Sequence, residues 1–326
     1  MKFLKLYLRM LRYRVAIMLL LFFFLGIAFH LQITSLHLSY LWAVIALASS
    51  YVAATSINDI VDQDIDRVNH PLSKGRPLIT GEATKRDLIL VHLMAVLTAL
   101  TIGILLGIQA TIIIAITLFI NYIYSAPPIR LSYRTHLAPL ILALAYVAIP
   151  YSLGVVVAGS NFYSADWLFL AGLISLFIGR IILKDFRDRK GDTLYGKPTF
   201  LLKYGKSATC LVSLIAVLSG NLLLYFALPG SPTLWLILEF YLFAIFFMLY
   251  RLWRENQLEG EQVAIGIGAK MGNGLLISLL GVLMLTEYNT DLKIQITFLA
   301  IITGVFMANF LFLLRNPNKI IIGYRG

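Results

Sequence analysis

The chain carries one acidic pattern twice, as NDIVDQDIDR at residues 58–67 and as KDFRDRKGD at residues 184–192. Both copies space their aspartates at i, i+3 and i+7, which gives Asp59, Asp62 and Asp66 in the first copy and Asp185, Asp188 and Asp192 in the second. On a helix this spacing puts three carboxylates on one face, which is unfavourable unless a cation lies between them. Each copy begins where a long apolar run ends. The two segments therefore predict helix ends that surround a hard, oxygen-binding cation.

The remainder of the chain is strongly apolar. Of its 326 residues, 60% are hydrophobic and only 13% are charged, which excludes an ordinary water-soluble domain and predicts an all-α, multi-pass membrane protein. No break in composition divides the chain, so residues 1–326 are predicted to form one domain. Ten runs are long enough to span a bilayer, at roughly 15–31, 38–57, 88–107, 109–124, 137–158, 166–183, 208–228, 233–252, 264–286 and 294–314. Nine spans are the alternative, because the fourth run is short and the ninth contains Lys270. The N-terminal run is predicted to be an uncleaved first span.

Lysine and arginine are distributed unevenly between the connections. Five precede the first span, and the rest concentrate in every second connection, at 58–87, 125–136, 180–206, 251–254 and after 314. This alternation is the positive-inside pattern, and it predicts that both termini and the acidic segments 58–87 and 184–206 are cytoplasmic. The net charge of +11 then reflects topology and contact with membrane lipids. No nucleic-acid partner is expected.

Any metal is predicted to bind through oxygen. Cys210 is the only cysteine and the five histidines show no ligand-like pairing, so sulfur and imidazole sites are excluded. Mg²⁺ suits the pattern, because it takes a few carboxylates and completes its shell with water and phosphate oxygens. A solvated, charged helix end is the alternative, but the recurrence of the spacing favours the metal. Asp64 lies off the shared face and is expected to be solvated.

The two acidic segments are separated by an even number of predicted spans, which places them on the same side of the membrane. A short basic pattern ending in proline follows each, KGRP at 74–77 and GKP at 196–198. These features predict a parallel internal repeat, with the site where its two halves meet.

Polar residues near the motifs are predicted to bind a diphosphate. Asn58 is either a helix cap or a ligand, and its position beside three aligned aspartates favours the second. In YSAPPIR (124–130) the prolines end a helix, so its polar side chains either project into the site or belong to a stiff turn. The predicted diphosphate ligands are Asn58, Arg67, Arg76, Tyr124, Arg130, Lys184 and Lys197. Catalysis is assigned to Asp62, Asp188, Arg76 and Lys197, and metal binding to the six motif aspartates.

One apolar span, 264–286, contains two polar residues. Lys270 and Asn273 interrupt it within the stretch 266–274. Intramembrane polar groups usually face a cavity or a partner, but Lys270 is near enough to a span end to snorkel. Neither residue is assigned a role.

The motifs resemble those of a known family. NDIVDQDIDR resembles the N-D-x-x-D-x-x-x-D signature of the UbiA superfamily of intramembrane prenyltransferases, and KDFRDRKGD is similar to its second aspartate motif. RPLITG at 76–81 and YSAPPIR at 124–130 are similar to two further segments, so the resemblance covers roughly residues 15–230. It implies a bundle of about nine spans, a cavity open to the bilayer, and Mg²⁺-assisted transfer of a prenyl group from its diphosphate. The chain differs in its tenth span, in Asp64, and in a longer loop at 70–75 that is expected to cover the site.

The favoured function is therefore transfer of a polyprenyl group from a polyprenyl diphosphate to a lipophilic acceptor. The favoured acceptor is an aromatic ring, as in a quinone or pigment precursor. Transfer to a glycerol-phosphate lipid and phosphoribosyl transfer to a polyprenyl phosphate are alternatives that share the same metal chemistry. A membrane transporter is a third, disfavoured because transport sites usually lie inside the spans. The expected location is the inner membrane of a bacterial or archaeal cell.

Overall fold

The computed structural model describes residues 2–31, 37–71, 75–228 and 231–320, and within these ranges the chain is helical without strands. The fourteen α-helices of this part are α1 Lys2–Met10, α2 Tyr13–Ala28, α3 Leu38–Val61, α4 Gln63–Asn69, α5 Lys85–Leu106, α6 Ile108–Ser125, α7 Leu137–Ala143, α8 Ile149–Val157, α9 Ser164–Ile181, α10 Asp185–Leu194, α11 Phe200–Ala227, α12 Pro232–Arg254, α13 Leu258–Glu287 and α14 Leu292–Arg315. A π-helical turn joins α7 to α8, so these two form one continuous span. The all-α prediction is confirmed.

The described helices provide nine candidate membrane spans. A tenth arises if the bent pair α1 and α2, whose axes differ by 65°, counts as one span. Each of the ten predicted apolar runs corresponds to a helix, because length and uninterrupted hydrophobicity are local properties. Residues 72–74 of the predicted covering loop lie outside the described residues.

The helices form two groups that share α2. In one group α3, α5, α6 and α8 pack together, and in the other α9, α11, α12 and α13 do. Helix α2 contacts both α8 and α13, and α14 packs on the outside of α12 and α13. In each group the helix after an acidic segment packs along the helix before it, α5 on α3 and α11 on α9. This shared arrangement matches the predicted repeat and holds the two acidic segments at one end of the bundle.

Glycine allows the closest helix crossings. A Cβ added to Gly154 of α8 would overlap the carbonyl oxygen of Phe23 in α2, and one added to Gly26 would overlap that of Tyr151. Gly172 of α9 and Gly220 of α11 face each other in the same way. Close packing of small residues is the usual means by which helices associate in a membrane, where apolar burial supplies little drive.

A buried polar cluster ties the helices together at the end away from the acidic segments. His30, just beyond the end of α2, lies 2.7 Å from Asp166 of α9, and Tyr151 of α8 donates a 2.5 Å hydrogen bond to the same carboxylate. All three side chains are fully or almost fully buried. Their hydrogen bonds satisfy polar groups that would otherwise be costly at this depth.

Candidate active site

The two acidic segments differ in their local backbone structure. Helix α3 ends at Val61, and Asp62 forms the junction with α4. The prediction that the three aspartates lie on one face of a single helix is therefore wrong for the first segment. Backbone hydrogen bonds still run from Asp62 to Asn58 and from Asp66 to Asp62, so the aspartates keep a nearly helical offset. The second segment forms α10, after a 3₁₀ turn that follows α9.

Contacts between α4 and α10 bring the segments face to face. The side-chain oxygen of Asn69 accepts a 2.6 Å hydrogen bond from the backbone N–H of Gly191. A Cβ on Gly191 would overlap the Asn69 side chain, so glycine permits this approach. His70 Nε2, just beyond α4, lies 3.1 Å from Asp188 Oδ1 of α10. The motifs therefore meet across one narrow space, as the repeat predicts.

Arginines pair with two aspartates of the first segment. Arg12, between α1 and α2, donates to both oxygens of Asp59 at 2.5 and 2.7 Å. Arg76 donates to Asp59 at 3.1 Å and also contacts the carboxylate of Asp66. Asp59 and Asp66 are buried, so these charges are balanced inside the protein rather than by water.

Asp62 draws its partners from three different parts of the chain. Arg130 donates to Oδ1 at 3.0 Å, while Asn58 and Lys197 donate to Oδ2 at 3.1 and 3.4 Å. The guanidinium of Arg130 also stacks 3.8 Å over the ring of Tyr133. Asp62 thus links the first segment to the loops before α7 and before α11.

Burial and charge act in opposite directions on these cations. Burial lowers the pKa of Lys197, but its neighbours, Asp62 foremost and then Asp192 and Tyr124, together outweigh burial, so the pKa lies above its ordinary value. The same balance with Asp59 leaves the pKa of Arg12 raised. For Arg76 burial outweighs the attraction of Asp59, and its pKa is lowered. Lys197 therefore keeps its proton, and both arginines stay charged because their ordinary pKa is so high.

A cavity of about 1020 Å³ opens between the motifs and extends among the helices. Apolar side chains of α2, α9, α12 and α13 line its deeper part, including Phe22, Phe177 and Leu276. Nine of the predicted site residues line the cavity: Asn58, Asp62, Asp66, Arg76, Tyr124, Lys184, Asp188, Asp192 and Lys197. The space is thus charged at one end and largely apolar along its length, which suits an amphiphile with an anionic head.

Four predicted residues do not line this cavity. Asp59 and Arg130 lie behind it, paired with Arg12 and Asp62 respectively. Asp185 faces a smaller adjoining pocket. Arg67 is not brought to the site, because it lies on the outer side of α4 and pairs with Asp64 at 3.4 Å, with both side chains more than half exposed. Asp64 is solvated, as expected.

Several residues without a predicted role line the cavity, namely Arg12, His70, Arg180, Arg187, Lys270 and Asn273. The arginines belong to basic clusters that the positive-inside pattern already explains. Their position at the cavity could therefore not be predicted from the sequence. His70 lacks any local ligand spacing, because its partner Asp188 lies in the other half of the chain. Lys270 and Asn273 could have been predicted to face a cavity, because they are polar residues inside an apolar span.

The donor set at the mouth of the cavity fits Mg²⁺ bound together with a diphosphate. No three Asp, Glu, His or Cys side chains in the described ranges lie close enough to hold a metal by themselves. Mg²⁺ needs only one or two carboxylates when phosphate and water supply the other oxygens. Asp192 Oδ1 is buried and has no hydrogen-bond partner among the described residues. Asp62, Asp66, Asp188 and Asp192 are the carboxylates that reach the cavity.

The model of the UbiA prenyltransferase family matches residues 19–274. The chain belongs to the UbiA prenyltransferase family. Family membership and its many apolar helices make it a multi-pass integral membrane protein. A solved structure with the same fold is that of a UbiA homolog from Archaeoglobus fulgidus bound to GPP and Mg²⁺. The two superpose with a TM-score of 0.58 over 95% of this chain and 99% of that one, at 17% identity.

The named relatives of this UbiA chain are enzymes with different activities. It is 30% identical over 158 residues to the chloroplastic chlorophyll synthase of Avena sativa, which covers 46% of this chain and 40% of the relative. It is 30% identical over 167 residues to the digeranylgeranylglyceryl phosphate synthase of Methanocaldococcus jannaschii, covering 50% of this chain and 56% of the relative. The chain thus spans about half the length of these curated relatives.

Proposed function

We propose that this UbiA protein transfers a polyprenyl group from a polyprenyl diphosphate to an acceptor inside the membrane. The observation that carries the proposal is that one cavity has residues of both acidic motifs at its charged end and largely apolar helix faces along its length. The homolog from Archaeoglobus fulgidus, bound to GPP and Mg²⁺, supports it.

The diphosphate would lie between the motifs, with its tail along the apolar wall. Arg76, Lys184 and Lys197 line that end and would bind phosphate oxygens. Asp62, Asp66, Asp188 and Asp192 would hold Mg²⁺. When bound, Mg²⁺ would supply positive charge that stabilises the leaving diphosphate. Because several cations already pair with aspartates, the substrate would exchange these ion pairs for contacts to metal and phosphate.

The transfer itself needs positioning more than acid–base groups. The bond between the first prenyl carbon and its bridging oxygen breaks, and the electron pair leaves with the diphosphate. The acceptor's carbon or oxygen forms the new bond to that carbon, and its proton passes to the released diphosphate. The protein binds both partners and excludes water, which would otherwise capture the allylic cation as an alcohol. Tyr124 would present its ring to that cation, since it lines the cavity beside Lys184.

Two acceptor classes are proposed. An electron-rich aromatic ring, as in a quinone or pigment precursor, remains the favoured acceptor. A glycerol-phosphate lipid is the second candidate, favoured by the similarity to the digeranylgeranylglyceryl phosphate synthase of Methanocaldococcus jannaschii. The charged end of the cavity is proposed to face the cytoplasm, in an inner membrane, because basic residues concentrate there.

The test is release of pyrophosphate from the purified full chain in detergent, together with mass spectrometry of the product. Geranylgeranyl and longer prenyl diphosphates would be offered with hydroxybenzoate, homogentisate, dihydroxynaphthoate or a glycerol-phosphate lipid, in Mg²⁺ or in EDTA. We expect Mg²⁺-dependent release and a prenylated product with one acceptor class. No release with any pair, from protein that unfolds cooperatively on heating, would overturn the proposal and favour phosphoribosyl transfer and then transport.

A further inference from the structure

A second polar group lies deep in the same cavity, away from the acidic motifs. Arg180 of α9 donates from Nη1 to Asn273 Oδ1 of α13 at 2.8 Å, and the same nitrogen lies 3.6 Å from Met18 Sδ of α2. Lys270 is one helical turn from Asn273 and also lines the cavity. A Cβ on Gly272 would lie 3.6 Å from Arg180 Nη1, so the guanidinium rests against the backbone of α13.

The depth of this group separates it from the diphosphate site. Along α9 and the turn after it, Arg180 precedes Lys184 by one helical turn, about 6 Å, and Asp188 by about 12 Å. Asn273 is at the middle of the 30-residue helix α13. Side chains on a helix lean toward its N-terminus, so Arg180 leans farther from the motifs. The group therefore lies deeper in the bundle than the motif residues, with Asn273 at the middle of α13.

Cationic side chains outnumber acidic ones on the cavity wall, and two of the cations, Arg9 and Arg12, pair with Glu82 and Asp59, which do not line it. Among the described residues that line it, the acidic ones are Asp62, Asp66, Asp188 and Asp192, and all belong to the motifs. The cationic ones are twice as many: Arg9, Arg12, Arg76, Arg180, Lys184, Arg187, Lys197 and Lys270. An ionisable side chain inside a membrane is costly and marks a site where an opposite charge or a polar partner compensates it. Arg180 and Lys270 are thus the cationic side chains on the deep part of the cavity wall, and Arg180 has Asn273 as a polar partner.

We infer that Arg180, Lys270 and Asn273 form the acceptor subsite and bind an anionic group, phosphate or carboxylate, of the acceptor. The inference rests on the proposed prenyl transfer. The acceptor's nucleophile must meet the first prenyl carbon beside the diphosphate. An anionic group of the acceptor, a few bonds away from that nucleophile, would then reach the depth of Arg180. Arg180 supplies a bidentate guanidinium fork, Lys270 a point charge, and Asn273 orients the guanidinium.

An aromatic carboxylate and a glycerol-phosphate lipid would use the same subsite. A headgroup of the surrounding bilayer would not, because headgroups lie at the membrane surface and Asn273 is at mid-helix. The inferred specificity is therefore for the charge of the acceptor, and uncharged analogues of either class are expected to be poor substrates.

The experiment compares acceptor pairs that differ only in charge. Transfer by the full chain would be measured with 4-hydroxybenzoate against 4-hydroxybenzamide, and with a glycerol-phosphate ether lipid against the same lipid without its phosphate. The readout is the ratio of kcat/KM for the charged over the uncharged member. For the wild type we expect a ratio of about 10² in one pair, and that pair identifies the source of the anion. In Arg180→Gln and Lys270→Gln the ratio should fall by about tenfold or more, because each loses a charge-assisted hydrogen bond.

Lys293→Gln serves as the control, because this lysine lies in the first turn of α14 and does not line the cavity. The ratio in this variant should equal that of the wild type. A general loss of activity cancels in the ratio, so a merely structural role of Arg180 would leave it unchanged. If Arg180→Gln fails to fold, Lys270→Gln and Asn273→Ala provide the same comparison.

A binding measurement decides the inference without turnover. With geranylgeranyl S-thiolodiphosphate and Mg²⁺ filling the diphosphate site, dodecyl phosphate should raise the Tm of the wild type more than dodecanol does. The difference should shrink in Arg180→Gln and Lys270→Gln. Equal stabilisation by both amphiphiles, or an unchanged charge ratio in both variants, would overturn the inference. Absence of Mg²⁺-dependent pyrophosphate release with any donor would instead overturn the proposed function.

Discussion

Neighbouring aspartates of the first motif have different tasks. Asp59 is bound on both oxygens by Arg12 and lies behind the cavity wall, whereas Asp62 lines the cavity and is held by Arg130 and Lys197. A spacing of three residues predicts that both share a face, but it does not say which one faces the substrate. The surrounding cations decide this, since each arrives from a distant part of the chain.

Asp62 and Asp188 are expected to be essential for turnover. Asp62→Asn and Asp188→Asn remove a carboxylate from the cavity wall, and we expect kcat/KM to fall by at least about 10²-fold, as when other charge-stabilising groups are removed from active sites. The measurement is Mg²⁺-dependent pyrophosphate release. Asp64→Asn is the matched control, because Asp64 is exposed and lies outside the cavity. Wild-type turnover by Asp62→Asn would contradict its role as a metal ligand.

Arg12 and Asp59 are expected to depend on each other for stability. Arg12→Gln leaves the buried Asp59 carboxylate without its main partner, and breaking such a pair usually costs about 3–5 kcal/mol. Thermal unfolding in detergent should show a lower Tm for Arg12→Gln than for the double variant Arg12→Gln/Asp59→Asn. Lys5→Gln, on the exposed part of α1, should leave the Tm unchanged. Strictly additive effects of the two substitutions would show that the pair is not coupled.

At the scale of helices, apolar periodicity and glycine have separate effects. Long, mostly apolar runs are sufficient to predict the nine candidate spans of the described residues, because any helix of that length satisfies its own backbone in a bilayer. The crossing of α2 and α8 depends instead on which glycines meet. Nothing local distinguishes Gly154, whose missing Cβ leaves room for Phe23, from Gly304, which has no neighbouring atom within 4 Å.

Gly154→Ala is expected to destabilise the bundle. The added Cβ would overlap the Phe23 carbonyl and force α8 away from α2, and overpacking of this kind costs about 1–3 kcal/mol. Gly304→Ala places the same methyl group in open space on α14 and should be neutral or slightly stabilising, since alanine is the better helix former. The two variants would be compared by thermal unfolding in detergent. A similar Tm for both would contradict the close-packed crossing.

For the whole molecule, the distribution of charge sets both topology and the site. Basic residues gather at the motif end of the helices, where they also balance buried carboxylates. The positive-inside pattern predicts only that this end is cytoplasmic. The number of basic residues at this end does not show which of them pair with a motif aspartate and which only set the topology.

Topology can be tested by cysteine labelling. Cys210 is the only cysteine and is buried, so Lys5→Cys and Lys293→Cys each introduce one accessible thiol. In intact cells a membrane-impermeant maleimide should label Lys293→Cys and not Lys5→Cys. Position 293 lies at the end of the bundle opposite the motifs, whereas position 5 lies at the motif end. After permeabilisation both should react, and the unsubstituted chain should remain unlabelled. The reverse pattern would show that the motif end faces outward.

Local features of the sequence account for the helices and for the two clusters of carboxylates. Hydrophobic length specifies the spans, the i, i+3, i+7 spacing specifies paired carboxylate clusters, and both are local properties of a helix. Tertiary structure alone decided that Arg12 binds Asp59 across 47 residues, that Arg67 faces outward, and that Arg180 meets Asn273 across 93 residues inside the bundle. Ion pairs and cavities depend on how distant helices pack, and no periodicity in the chain encodes that geometry.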